Sequence, residues 1–193
     1  MILGGVIALI ASRVTSDSAG QGLWHAFTAR SSRIDLSRPA VVHRIQQLQR
    51  LETVVYSMDK IVVGQREGKI LPDFLVGDRL LLLAQGQVVA GIDFSRLQLT
   101  DVSLDRKAIR VRLPASEIFF TRLDNQSTRV YSRETGLLVP VDPTLETEVR
   151  EQAEQQLRDA ALQDGILNTA QQNARTTITG LLKGLGFEHV EFD

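Results

Sequence analysis

"LQLTDVSLDRKAIRVRLP", residues 97–114, holds the alternation that decides the fold. Leu97 and Leu99, then Val102 and Leu104, sit at period-two spacing. Ile109, Val111 and Leu113 alternate with Arg110 and Arg112 up to Pro114. Successive strand side chains point to opposite faces, so this pattern predicts two half-buried strands flanking a turn at Asp105-Arg106-Lys107. An antiparallel hairpin with a charged outer face is expected.

The same period extends upstream. In "ETVVYSMDKIVVGQRE", apolar runs at 54–56 and 61–63 predict a strand with an irregular middle. "DRLLLLAQGQVVAGID" is a long apolar stretch in which Gln85-Gly86 predicts a bulge or a turn. "STRVYSRETG" reads as a further short strand ending in a glycine turn. In "PAVVHRIQQLQRL", Val41, Val42, Ile45, Leu48 and Leu51 fit either a short helix or the lead-in to a strand.

The period changes near the end of the chain. Asp142 suits a helix N-cap and Pro143 the first helical position. Leu145, Val149, Ala153 and Leu157 recur every four residues, and Ala160 and Ala161 extend that face. Asp164-Gly165 ends this helix, because glycine in a helix interior costs about 1 kcal/mol relative to alanine. A second stripe runs through Ile166, Ala170, Ala174, Ile178, Leu181 and Leu185 and stops at Gly184 and Gly186. "FEHVEF" predicts a last short strand. The expected class is α+β, an antiparallel β-sheet followed by two C-terminal helices and a short final strand.

Length and charge set the frame. The 193 residues suit one domain with an appended arm, and 43% hydrophobic content is enough for a core. There is no cysteine, which excludes disulfides and thiolate metal sites. Residues 1–50 carry six Arg against two Asp, a net of +4, and the other 143 residues carry 16 basic against 21 acidic groups, a net of −5. The opening "MILGGVIALIA" is apolar but shorter than the about 20 residues of a spanning helix. Three readings fit it: a transmembrane helix whose beginning lies upstream, an atypical signal or anchor, or a soluble N-terminal element. The first is favoured, because Gly4-Gly5 and the β-branched residues suit lipid. The expected organisation is an apolar stub over 1–14, a basic linker over 15–51 with one helical turn near 23–29, and an α+β domain over 52–193.

Familiar catalytic patterns are weak. Ser57-Met58-Asp59-Lys60 has Ser–Lys spacing, but in a strand positions i and i+3 face opposite sides. Residues 64–70, "GQREGKI", are one residue too short for a phosphate loop and end in Ile where a hydroxyl is needed. His25, His43 and His189 are too scattered to show metal spacing. With 5% aromatics, a base-stacking platform is poorly supported and no nucleic acid partner is expected. The residues singled out for binding are Gly91, Asp93, Glu117, Arg110 and Arg112; no catalytic residue, metal ligand or cofactor is assigned. In "VVAGIDFSRLQL", residues 88–99, Gly91 suits close approach of another backbone, and Asp93 suits a turn by accepting an N–H two residues on. Asp93 and Glu117, with Asp101 and Asp105, are the carboxylates available for acid–base work. Arg110 and Arg112 share one strand face and, with Arg122 or Arg129, could form an anion patch; a solvated edge guarded by charge is the more common reason for such residues.

Several ordered segments resemble a known family. "VVAGIDFSRLQL", "IRVRLPASEI", "VYSRETGLLVP" and "ALQDGILNTAQQNARTTITGLLKGLGF" together resemble the bacterial domain-of-unknown-function family 4230 over roughly residues 52–192. Phe94 stands where that family's motif has Leu. The resemblance implies one N-terminal transmembrane helix and an extracytoplasmic body, and it carries no activity. The expectation is a membrane-tethered, non-catalytic module for binding or assembly, with a protein partner or self-association. The alternatives are a carboxylate-dependent hydrolase and a soluble regulatory protein.

Overall fold

The Leu-rich segment after Asp78 forms a strand of 16 residues, longer than the sequence pattern implies. In the computed structural model, which describes residues 36–68 and 71–193, β1 spans Arg50–Arg66 and β2 spans Asp78–Asp93. They pair antiparallel along their whole length, from Arg50 opposite Asp93 to Arg66 opposite Asp78, with one register shift between Glu52 and Val54. Between them lies a short helix, α2 (Asp73–Val76). No bulge or turn interrupts β2 at Gln85-Gly86. Gly86 serves packing instead: a Cβ there would sit 2.6 Å from Leu157 Cδ1 and 2.7 Å from the Arg122 carbonyl oxygen.

Two strands share the other edge of β2 end to end. β5 (Ser116–Leu123) pairs with its C-terminal half and β6 (Arg129–Thr135) with its N-terminal half. Both pairings carry a register shift, at Val89/Ala90 and at Leu81/Leu82. The expected hairpin forms as β3 (Val102–Asp105) and β4 (Ala108–Val111), around a two-residue turn in which Arg106 is left-handed at φ 50°. It belongs to a second sheet, completed by β7 (His189–Phe192) running parallel to β4.

Residues 97–101 are not strand. Phe94–Arg96 and Leu99–Asp101 are 3₁₀ turns, and Leu97 is buried while Leu99 is exposed. Side-chain capping decides this: Asp93 accepts from Ser95 N, and Asp101 accepts from Gln98 N at 2.9 Å. Such local bonds hold the backbone in turns in place of a sheet ladder. Upstream, "RPAVVHRIQ" is helix α1 (Arg38–Gln46), whose Val41, Val42 and Ile45 are buried. The compact unit therefore begins at Leu36, so the last part of the expected linker belongs to the core.

The helices fall where capping and spacing place them. α3 (Pro143–Gln163) starts at Asp142, whose carboxylate accepts from Thr144 N at 2.8 Å. Gly165, at φ 76°, makes the left-handed link to α4 (Ile166–Gly184). The buried line of α4 continues through Leu182; Leu181 and Leu185 pack at its margin.

Both helices cover one face of the long ladder, and three core clusters follow one another along it. Leu145, Val149 and Ala153 meet Val62, Leu80, Leu82 and Ala84. Leu157, Ala161, Ile166 and Ala170 meet Val88 and Ala90. Ala174, Ile178 and Leu182 join α1, Ile92, Phe94 and the hairpin. The fold is thus α+β as expected. Among the described residues no helix is long and apolar enough to cross a membrane; the stub at 1–14 and the turn near 23–29 lie outside them.

Leu157 and Ile178 are both fully buried. Leu157→Asp and Ile178→Asp place a carboxylate with no partner in the core, at a cost of about 4 kcal/mol each. Circular dichroism melts are expected to show loss of the cooperative transition for both variants.

Candidate functional site

The corner at the end of β2 gathers three of the five singled-out residues. Gly91 lies between Glu52 of β1 and Glu117 of β5. A Cβ at Gly91 would stand 2.0 Å from the Leu51 carbonyl oxygen and 2.8 Å from Phe119 Cε2, so only glycine lets the strands close. Asp93 Oδ1 accepts from Ser95 N at 3.0 Å and from Ser95 Oγ at 2.6 Å. Arg96 then bridges two carboxylates, reaching Asp93 at 3.5 Å and Glu117 at 3.4 Å. The Arg50 guanidinium, opposite Asp93 in the ladder, stacks over Phe119 at 4.2 Å.

The chemistry of this corner is that of an anchored anion. The Ser95 hydroxyl, with the Ser95 N–H, Arg96 and Arg50, holds the Asp93 carboxyl below its usual range against partial desolvation. Asp93 is thus a carboxylate near neutral pH, with Oδ1 occupied by its own turn and Oδ2 beside Arg96. A general acid needs a raised pKa, which Asp93 does not have.

Arg110 and Arg112 are elsewhere. Arg110 lies on β4 in the small sheet, where Glu191 of β7 accepts from its Nη2 at 2.7 Å and its Nε at 3.1 Å, with Asp193 at 3.7 Å. These acidic partners raise the Arg110 pKa. Arg112 follows the end of β4 and gives its backbone N–H to the Asp101 carbonyl. Arg122 and Arg129 belong to the large sheet. The expected anion patch therefore does not assemble: β7, remote in sequence, supplies the countercharge for Arg110.

The remaining motifs also resolve as structure. Ser57 pairs with Gln87 and Lys60 with Ala84, at ladder positions of opposite parity and so on opposite faces of β1. Gly64 is inside β1, while Lys69 and Ile70 lie outside the described residues. His43 and His189 are exposed, and His25 lies outside the described residues. Among the described residues no three His, Asp or Glu side chains converge to hold a metal ion.

Sequence reasoning missed the strongest polar cluster, at the opposite end of β2. Asp78 is only 3% exposed. Its Oδ1 accepts from Arg133 Nε at 3.1 Å and Thr135 Oγ1 at 3.2 Å; its Oδ2 accepts from Arg133 Nη2 at 2.6 Å and Asp142 N at 3.1 Å. Arg133 Nη2 also reaches the Asp142 carbonyl at 2.5 Å. Arg66 joins from β1 through Glu148 at 2.5 Å and Asp142 at 3.4 Å. Arg133 donates the bonds that hold Asp78 below its ordinary pKa despite burial. The clue was parity: Asp78 lies on the same strand face as Leu80 and Leu82, so it had to be buried and needed a cation. Beside this cluster a cleft of about 440 Å³ is lined by Arg66, Asp73, Phe74, Asp78, Arg79, Glu134 and Leu137, among others.

These features define an α+β domain in which one long antiparallel ladder is backed by two helices and fastened by ion pairs at both ends. Residues 43–192 match the family model described as a protein of unknown function, DUF4230, and the chain belongs to that family. No curated protein and no solved structure matches it.

Three outcomes test this account of the two ends. Gly91→Val is expected to lose about 3 kcal/mol by urea unfolding, because the new methyls meet backbone. Asp93→Asn should keep the fold to within about 0.5 kcal/mol, since Asn caps the same turn. Asp78→Asn should lose about 3 kcal/mol, at the low end for a broken buried pair because the Arg133 side chain is 19% exposed and can rehydrate. The pH profile follows from the sign of the Asp78 shift. A carboxyl depressed on folding contributes stability above its unfolded pKa of about 3.9, and that contribution disappears as pH falls through the lower folded value. Stability measured from pH 6 downward is expected to fall less steeply below about pH 4 in Asp78→Asn than in the parent.

Proposed function

We propose that the domain is a non-catalytic module of a membrane-tethered, extracytoplasmic protein and that it binds another protein through the end of its long ladder. The carrying observation is a group of exposed apolar side chains around the cleft. Phe74 is 68% exposed and Leu137 82% exposed, with Leu138 and Val141 also open to solvent. Bonds from Leu137 N to the Phe74 carbonyl and from Leu138 N to the Leu75 carbonyl hold these residues side by side. Exposed apolar groups concentrated at one place mark interaction surfaces, whereas scattered ones need no explanation.

The charge around them selects a protein over a lipid surface. Arg66 and Arg79 are set against Asp73, Asp78 and Glu134, so the cleft has no net positive field to draw anionic headgroups. Within the domain the apolar tip follows the end of β1, roughly 50 Å along that 17-residue strand from its start at about 3.4 Å per residue. The apolar 1–14 segment and the family resemblance support the tether; the extracytoplasmic side rests on the resemblance, against the positive-inside reading of Arg13 and Arg30.

A photoreactive residue in place of Leu137, introduced into the gene product in its native cells, tests the reading. One protein is expected to be cross-linked reproducibly and, once purified, to bind the parent directly. Phe74→Asp with Leu137→Asp should keep the fold and weaken that binding at least about tenfold, the effect of losing an apolar hot spot. Equal binding by parent and variant would refute the tip as the docking surface. The full-length gene product should also pellet with membranes and resist alkaline carbonate; recovery in the soluble fraction removes the tether.

A further inference from the structure

The two edges of the large sheet are built differently. The β5/β6 edge is broken by residues 124–128 and carries two register shifts, at Val89/Ala90 and Leu81/Leu82. Short strands and bulges are the means by which proteins stop an edge from pairing with another chain. The β1 edge has neither. It runs unbroken from Val54 to Arg66, its single register shift lies before Val54, and it contains no proline. Among the described residues no strand pairs with its free side. Only its start is covered, where Asn173 Nδ2 of α4 donates to the Thr53 carbonyl at 2.8 Å. Beyond that point Val55, 49% exposed, and Ile61, 67% exposed, project from the sheet face opposite the helices.

We propose that β1 pairs antiparallel with β1 of a second copy across a two-fold axis at Met58, joining the two large sheets into one. The side chains select both the partner and the register. Antiparallel self-pairing places directly opposite one another only residues whose numbers sum to a fixed even value, because opposed residues must share a face. With the axis at Met58, Val54 meets Val62 and Val55 meets Ile61 of the second copy. Tyr56 meets Lys60, Ser57 meets Asp59, and Met58 meets itself. The exposed Val55 and Ile61 face each other, Ser57 can donate to Asp59, and no like charges are opposed. An axis at Asp59 opposes two carboxylates, and one at Lys60 opposes two ammonium groups, which destabilises a strand pair. An axis at Ser57 sets Asp59 against Val55 and uses the capped Thr53, and one at Ile61 sets Asp59 against Val63 and Lys60 against Val62. Only the axis at Met58 sets the exposed Val55 and Ile61 against each other; one at Val62 sets Met58 against Arg66 and leaves Val55 unpaired. The contact lies along the edge of the ladder, so it leaves the apolar tip open.

The absence of cysteine from the chain gives a direct test. Opposed Cα atoms at such an axis are about 4.5–5.5 Å apart, inside the window for a disulfide. The full chain carrying Met58→Cys, in detergent micelles under mild oxidation, is expected to form disulfide-linked dimers. The chain carrying Val63→Cys should stay unlinked, since in this register the two sulfurs are roughly 30 Å apart. Linking of both variants, or of neither, overturns the proposal. Sedimentation of variants at the exposed pair provides the second measurement. Val55→Lys with Ile61→Lys opposes lysines twice and should raise the dimer dissociation constant at least about tenfold, while Val55→Lys with Ile61→Glu should restore association. A parent that sediments as a monomer, or a double-lysine variant that associates as well as the parent, refutes the pairing whatever the outcome at the tip.

Discussion

Every second residue of β2, from Asp78 through Leu80, Leu82, Ala84, Gly86, Val88 and Ala90 to Ile92, is buried under the two helices. Val89 and Gly91 are buried on the other face too, but only the helix-covered face is buried along the whole strand, and the rest of the molecule is organised by it. A strand with one buried face has only one acceptable register with its neighbours, since a slip of one residue exposes the whole apolar set. β1 is therefore fixed along its full length, and α3 and α4 must lie end to end to cover a ladder longer than either. Small residues on their inner faces, Ala153, Ala161, Ala170 and Ala174, bring them close to the sheet. Gly86 lets Leu157 seat directly on β2. The three core clusters are successive stretches of one continuous contact.

Polar groups finish the two ends of this contact, where an apolar layer meets water. At one end Asp78 ties β2 to β6 and to the start of α3, with all four of its hydrogen bonds made. A buried carboxylate is tolerated on these terms, because its charge is matched and its lone pairs are occupied. At the other end Asp93 turns the chain away from the ladder, and Arg96 links it to Glu117. The candidate carboxylates Asp93 and Glu117 are thus both tied to Arg96 at this end. Among the described residues, the surface left exposed includes the apolar side chains of Phe74 and Leu137 at the tip and the outer side of β1.

Much of this architecture was written in local pattern. The hairpin, the N-cap at Asp142, the break at Gly165, both helical stripes and the last strand follow from periods of two and about 3.6 and from the chemistry of caps and turns, which act within a few residues. The asymmetry of Gly91 and Asp93 was legible for the same reason: one needs room and the other needs a nearby N–H.

What local pattern did not contain was set by residues distant in sequence. Gln85-Gly86 reads as a break until Leu157, 71 positions after Gly86, is laid over it. Arg110 and Arg112 read as a pair until β7 returns to place Glu191 against the first alone. Residues 97–99 alternate like a strand, yet side-chain caps at Asp93 and Asp101 turn them. Parity with Leu80 and Leu82 marks Asp78 for burial, but its partner Arg133 and the unequal edges of the sheet have no sequence signature, because each exists only once β2 has chosen its neighbours. The sequence by itself determined the two terminal helices, the hairpin turn, the last strand and their apolar faces, since those depend on near neighbours; β5, which it did not mark, and the turns at 94–101 waited for the structure. The tertiary structure alone decided which charges meet, which glycine is filled by a distant side chain and which edge stays open, since those depend on contacts that chain order does not specify.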